Sequence, residues 1–452
     1  MLDRLLFHGL LVTALAPALM FAGRPLWAIV AAALAAGVLL LAASSLRAFR
    51  KPQGWTWTDG LLIAAGGIWA GVLAYAASQI STDGPAAAAT LWREAAGLLG
   101  EPVPVRGSLN PGATGIGVLR LGLYAGVLVL AYWLCGSRAR AWTVVTAVLA
   151  VVAVAALYAA ALKVAGIEYV LWEKKRYYIG WATGPFANRS TFASYLAIGL
   201  ACNVALWARA YRRFVPSEIE GRERLRLALE FITRRGVFLA LPGFAIAGAG
   251  LMTGSRAGTA AMAIAVVLTA GLIALRWRRD ALLAPIVAVL SVTAVAGLLW
   301  VVAGDGVASR FDNLEDAYDV RQSLYEDAGR ILDAHGARGV GLGAFSEALH
   351  AYKSADTGYD RWQAHNTYLE NLIELGWTAG LAMFLAAGLV GFAAARAIWR
   401  RRRLAPVAAA ATGGFIAVAL HSAVHFPLQE PGVALTLALL LGAAAAQADG
   451  GD

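Results

Sequence analysis

Ala141-Trp-Thr-Val-Val-Thr-Ala-Val-Leu-Ala-Val-Val-Ala-Val-Ala-Ala-Leu-Tyr-Ala-Ala-Ala-Leu-Lys163 carries no charged side chain before its final lysine. Crossing roughly 30 Å of hydrocarbon at about 1.5 Å per residue takes about 20 such residues. Lipid offers no partner to a free backbone N–H or C=O, so a run of this kind reads as a membrane-spanning helix. The same reasoning carried outward finds further runs near 5–22, 26–44, 60–79, 118–135, 190–208, 237–253, 257–275, 282–303, 376–396, 405–424 and 431–447. Strand-like alternation is absent from them, which argues against a β-barrel. The expected fold is an all-α integral membrane protein of about twelve transmembrane helices. Residues 1–303 would hold helices one to nine, 304–375 a large, partly helical loop outside the membrane, and 376–452 helices ten to twelve.

Composition agrees. Of 452 residues, 60% are hydrophobic and only 15% charged, against about 25% charged in soluble domains. That excludes a soluble globule and a disordered chain. Cys135 and Cys202 both fall inside spans, as buried small apolar residues with no disulfide, metal or redox role. The net charge is +10, and more than half of the 38 lysines and arginines fall on one side of the expected topology, dominating the short loops there. That places both termini in the cytoplasm and reads the positive charge as a topology and anionic-lipid signal, not as a nucleic-acid site. Residues 1–22 also have the shape of a cleaved signal peptide; a retained helix keeps the number of spans even.

Three stretches on the opposite side are too long for simple turns: about 80–117, 164–189 and 304–375. The last holds Asp312, Glu315, Asp316, Asp319, Arg321, Arg330, Arg338, Arg361 and the histidines 335, 350 and 365. Phe311, Tyr318, Tyr325, Phe345, Tyr352, Tyr359, Trp362 and Tyr368 give it an apolar skeleton, suited to stacking on sugars or to the interfacial belt. On the cytoplasmic side, Ile219, Leu225, Leu229 and Ile232 among arginines over 209–236 read as an amphipathic helix in the headgroup plane.

Two arginines stand where the positive-inside rule disfavours cations. Arg189 opens the sixth span in Gly184-Pro-Phe-Ala-Asn-Arg-Ser-Thr-Phe-Ala-Ser-Tyr-Leu196, and Arg256 lies in the tight turn Leu251-Met-Thr-Gly-Ser-Arg-Ala-Gly258. A snorkelling arginine is the ordinary reading of either one. Both, however, fall at helix N-termini, where backbone N–H groups and the helix dipole favour an anion, and a guanidinium fork there suits phosphate or pyrophosphate. In Ala364-His-Asn-Thr-Tyr-Leu-Glu-Asn-Leu-Ile-Glu-Leu-Gly376, Asn366 or Thr367 can cap a helix whose Glu370 and Glu374 share one face. His365 then sits just before that helix at the membrane surface, as a surface residue or as a general base. Arg338-Gly-Val-Gly-Leu-Gly-Ala-Phe345 lacks the Lys and Ser/Thr of a P-loop and reads as a tight loop. His421 and His425 are spaced i, i+4, a weak metal signal with no evident third ligand.

The order of Gly184–Arg189, Thr253–Gly258, Arg321, Gly339–Phe345, His365–Glu370 and His421-Ser-Ala-Val-His-Phe-Pro427 resembles the O-antigen ligase and polymerase superfamily, over roughly residues 180–440. These are bacterial inner-membrane enzymes that move a glycan from undecaprenyl pyrophosphate to a periplasmic acceptor. The resemblance implies an active site on the periplasmic side, with no metal and no cofactor. Arg189 and Arg256 would engage the donor pyrophosphate, and His365 would activate the acceptor. Arg321, Asn188, Ser255, Asn366, Tyr368 and Arg338 are candidate substrate-binding residues in the same motifs. The acceptor could be lipid A core, which is favoured, a growing glycan, or a protein side chain. The partners would then be the lipid-linked donor, that acceptor and the bilayer, with no nucleic acid. Tyr325, Ala334-His-Gly336 and His425 depart from the family, which has tryptophan, a proline-bearing approach and an acidic residue there. A lipid-linked oligosaccharide flippase is the rival class, and its charges are expected near mid-membrane in both halves.

Overall fold

The computed structural model describes residues 2–48, 54–81, 89–216, 218–277, 314–353 and 363–449. The helices are α1 Leu2–Leu19, α2 Leu26–Ala48, α3 Trp57–Ser78, α4 Ala89–Leu99, α5 Pro111–Leu134, α6 Arg138–Val164, α7 Arg189–Phe214, α8 Gly221–Glu230, α9 Val237–Met252 and α10 Arg256–Trp277. They continue with α11 Leu314–His335, α12 Phe345–Tyr352, α13 Thr367–Arg400, α14 Ala405–His421 and α15 Pro431–Ala445. Among the described residues the strands form a single small hairpin, β1 Tyr169–Val170 antiparallel to β2 Glu173–Lys174.

Nine described helices are long and apolar enough to cross a membrane, and α14 and α15 are shorter apolar helices. Together they account for every expected span except 282–303, which lies outside the described residues, as do Phe311, Asp312, Tyr359, Arg361 and Trp362 of the large loop. The chain is thus a multi-pass, helical membrane protein.

One detail differs from the sequence reading. Residues 209–214 belong to the end of α7, and α8 runs through a π-helical turn, Phe231–Gly236, straight into α9. The expected separate surface helix is therefore an extension of a span. Its apolar stripe survives in the exposed Leu225 and Leu229.

Packing follows residue size. α7 is the most enclosed of the nine long helices, buried from Thr191 through Asn203 and wedged among α6, α9, α10 and α14. Small residues let these helices approach. A Cβ on Gly413 would come within 2.4 Å of Thr269 on α10, and one on Gly199 within 2.3 Å of Val152 on α6. α5 with α15 and α3 with α13 form the other close pairs, and α1 joins the main core through Leu6, Phe7 and Leu10.

The described parts of the long loops are folded. Leu324, Ala328, Ile331, Val340, Phe345, Leu349 and Ile373 make a satellite core under α11 and α12. The glycine-rich turn is a clasp: Val340 N donates to Ile373 O at 3.0 Å, Gly341 N to Glu374 O at 3.0 Å, and Leu109 N to Val340 O at 2.9 Å. Gly341 has φ +110, and a Cβ there would lie 2.1 Å from Ser108 Oγ, so only glycine fits this crossing. Gly376, with φ 75 and ψ 170, breaks α13 between a short capped helix and the span proper.

Candidate functional site

Arg189 and Arg256 are the first residues of two helices whose opening turns touch. Asn188 is extended and caps α7, its Oδ1 accepting from Ser190 N at 2.8 Å and Thr191 N at 3.2 Å. Ser255 serves α10 in the same way, its Oγ accepting from Gly258 N at 3.1 Å. The same hydroxyl donates to Ser190 Oγ at 3.0 Å, which ties the two N-termini together. A Cβ on Gly258 would come within 2.3 Å of the Ala193 Cβ, so the helices meet there at backbone distance. Two dipole ends and two guanidinium-bearing residues therefore share one end of the bundle. Asn188 and Ser255, expected as substrate contacts, also help to build that end.

Arg189 is held by aromatic rings from the loop before α7. Its guanidinium carbon lies 4.8 Å from the Trp181 ring centroid and 5.6 Å from that of Tyr178, and its Nη1 reaches Thr253 O at 3.4 Å. Burial raises the Tyr178 phenol above its ordinary value, so it stays neutral, and its hydroxyl accepts from Asn188 Nδ2 at 2.9 Å. Trp181 rests on Gly254, which has φ +61 and would place a Cβ 2.1 Å from the indole. Lys175 Nζ donates to Trp181 O at 2.8 Å and pairs with Glu168 at 3.0 Å, and Gly180 N donates to Glu168 Oε1 at 2.9 Å. Burial alone would raise the Glu168 carboxyl, but Lys175 and the Gly180 N–H outweigh it and hold the group below the usual glutamate value. Arg256, by contrast, is exposed.

His365 reaches the same end from the large loop. Its φ is +52, a left-handed conformation uncommon for histidine. Asn366 fixes it there by capping α13, with Oδ1 accepting from Tyr368 N at 3.0 Å and Leu369 N at 3.1 Å. Thr367 N donates to Ser422 O at 2.9 Å and His425 O at 3.1 Å, which docks the start of α13 on the turn between α14 and α15. Glu370 Oε2 accepts from Ala364 N at 2.8 Å and Glu374 Oε1 from Phe345 N at 3.3 Å, so the two buried carboxyls bind the loop to the helix.

The connection between His365 and the arginines runs through residues that sequence reading left aside. The His365 ring lies 5.7 Å from His425 and 5.2 Å from Phe426, centroid to centroid. His425 Nε2 is hydrogen-bonded to Thr191 Oγ1 at 2.9 Å, two residues beyond Arg189. One turn earlier on α14, His421 stacks on His425 at 5.4 Å, and its Nδ1 meets Ser194 Oγ at 2.7 Å. The i, i+4 histidines that read weakly as a metal pair are matched instead to hydroxyls at i, i+3 on α7. That pairing was the available signal.

The remaining candidates divide. Tyr368 donates to Ala419 O at 2.7 Å, and its ring lines a cavity of about 1550 Å³ walled by α3, α5, α13 and α15. The cavity runs from Thr367 and Gln429 beside the His365 loop to Asp59 and Asp449 at the opposite end of the bundle. Along it lie Arg120, whose Nη1 donates to Gln429 O at 3.2 Å, and the buried Tyr124 hydroxyl and Gln429 side-chain amide, both without hydrogen-bond partners among the described residues. Arg120, a charge within an apolar run, is a functional candidate that sequence reading missed. Arg338 is exposed, and its carbonyl accepts from Tyr75 on α3 and from Gln79 just after that helix, so its backbone belongs to the clasp. Arg321 lies on α11, but its side chain falls outside the described residues.

Residues 241–385 match the family model described as O-antigen ligase. That segment begins in α9, carries Arg256 and His365, and ends within α13; Arg189, His421 and His425 flank it. No curated protein matches the chain. Over this segment, the chain is similar to the O-antigen ligase family.

Proposed function

We propose that the protein is an inverting, metal-independent glycosyltransferase of the bacterial inner membrane. In this reading it moves a glycan from undecaprenyl pyrophosphate to a periplasmic acceptor, with lipid A core favoured. The observation that carries the reading is the linked geometry of Ser190 with Ser255 and of Thr191 with His425, which gathers Arg189, Arg256 and His365 at one end of the bundle.

The chemistry follows from charge. As the sugar C1–O bond breaks, its electron pair leaves with the pyrophosphate oxygen. Cations and helix N-termini already fixed at that oxygen stabilise the transition state more than the ground state. Arg189, aligned by Trp181 and Tyr178, and Arg256 take that role. The acceptor hydroxyl attacks C1 from the opposite face and its proton passes to the His365 imidazole, a contribution of typically 10²–10⁴-fold. The apolar cavity beside Tyr368 has room for a long isoprenoid or acyl chain. The charge distribution also favours an enzyme over a flippase, because the two arginines stand at helix ends and not at mid-span.

Purified protein in detergent, given a synthetic undecaprenyl-pyrophosphate glycan and each class of acceptor, tests the reading. Glycan transfer with release of undecaprenyl pyrophosphate supports it. Movement of intact donor across liposomes without transfer would replace it with a flippase.

A further inference from the structure

At the end of the bundle opposite His365, arginines crowd together around a tryptophan. Trp277, the buried last residue of α10, donates from Nε1 to Arg402 O at 3.2 Å. Arg212, in the last turn of α7, lays its guanidinium over the Trp277 ring at 4.7 Å. Arg276 Nε donates to Ile398 O at 3.0 Å, bringing the ends of α10 and α13 together. Among the described residues, the charges that act most on Arg212 are Arg402, the exposed acid Glu218, Arg276 and Arg403. Arg278, Arg279 and Asp280 follow in sequence and lie outside the described residues.

Topology alone asks only that cations lie on this side, and exposed arginines in water would satisfy it. Arg212, Arg276 and Arg402 are not so placed, while Arg403 is exposed. Among the described residues, Arg212 Nη1 and Arg402 Nε are both buried without a hydrogen-bond partner, a costly condition for guanidinium N–H groups that an anion seated among them would relieve. Several guanidinium forks converging from α7, α10 and the α13–α14 turn match the oxygens of a phosphate better than a lone carboxylate. Beside them, Leu275 and Trp399 flank the Arg276–Ile398 bond and are 67% and 59% exposed, and Phe392 is exposed two turns back along α13. A soluble anion would leave that apolar surface unused. A lipid would lay its acyl chains on it.

We propose that Arg212, Arg276, Arg402 and Arg403 around Trp277 form a binding site for the phosphodiester headgroup of an anionic phospholipid in the leaflet at this end of the protein. The site lies across the bundle from the candidate transferase centre and does not depend on it. Native mass spectrometry of the full chain in neutral detergent tests it, with phosphatidylglycerol and phosphatidylcholine of identical acyl chains as probes and inorganic phosphate in a separate arm. Wild type should retain phosphatidylglycerol at least tenfold more tightly than phosphatidylcholine, and inorganic phosphate should not displace it at equal concentration. Arg402→Gln and the double variant Arg212→Gln/Arg402→Gln should lose roughly tenfold of that preference. Arg234→Gln, an exposed arginine paired with Glu230, should keep it. Equal retention of the two lipids by wild type, an undiminished preference in the variants, or displacement by inorganic phosphate would each overturn the proposal. The wild-type comparison stands even if a variant fails to fold.

Discussion

The Thr191 hydroxyl lies 2.9 Å from His425 Nε2, and this one bond ties the helix that begins at Arg189 to the histidine ring packed beside His365. It spans segments 234 residues apart in sequence and joins the start of α7 to the turn between α14 and α15. Thr191→Val keeps the shape and removes the partner. We expect turnover to fall about tenfold with little change in donor affinity, and Thr191→Ser to restore it. Steady-state transfer assays check both.

Trp181 is trapped between Gly254 and Arg189. Gly254→Ala adds a carbon where the indole sits and strains a left-handed backbone, so Trp181 must leave its place. The expected cost is about 1–2 kcal/mol of stability, with weaker donor binding. Thermal unfolding and donor titration measure the two effects separately.

The Glu168–Lys175 pair anchors the loop that carries Trp181. Because the folded carboxyl titrates below its ordinary value, its stabilisation is present above about pH 4.5 and is lost as pH falls through the lower folded value. Melting temperature should therefore decline on acidification through that window, and Glu168→Gln should flatten the slope. Melts across pH 3–7 decide it; parallel slopes in the two proteins would contradict this role for the pair.

The cavity beside Tyr368 makes a prediction about substrate length. Ala387 lines it on α13, and Ala387→Trp would fill part of it. Wild type should have a lower KM for an undecaprenyl donor than for a short isoprenyl analogue, and the variant should narrow that gap. An unchanged ratio would remove the cavity from donor binding.

Much of this architecture was legible in the sequence, because a span announces itself by length and apolarity. Which spans pair was not. The approach of α7 to α10 depends on Gly258 meeting Ala193, and no one-dimensional pattern encodes that contact. The arginines at helix N-termini could be found because they break the charge rule for the side that the expected topology gives them. Asn188 and Ser255 were legible as polar residues in motifs, but their work as caps appears only once the helix starts are known. His421 and His425 were visible, yet their partners Thr191 and Ser194 lie far away in sequence, so their meaning needed the fold. Arg120 could have been found as well, since a cation within an apolar run is as much out of place as one in an outer turn.

The division of labour between the arginines and His365 is open to one direct measurement: single-turnover transfer and equilibrium binding of the lipid-linked donor, on His365→Ala and Arg256→Ala in parallel. His365→Ala should lower the transfer rate by about 10²–10⁴-fold while donor affinity stays near wild type. Arg256→Ala should lose about tenfold or more in donor affinity and about 10²–10³-fold in rate. Wild-type rates in either variant, or donor affinity lost equally in both, would contradict the account.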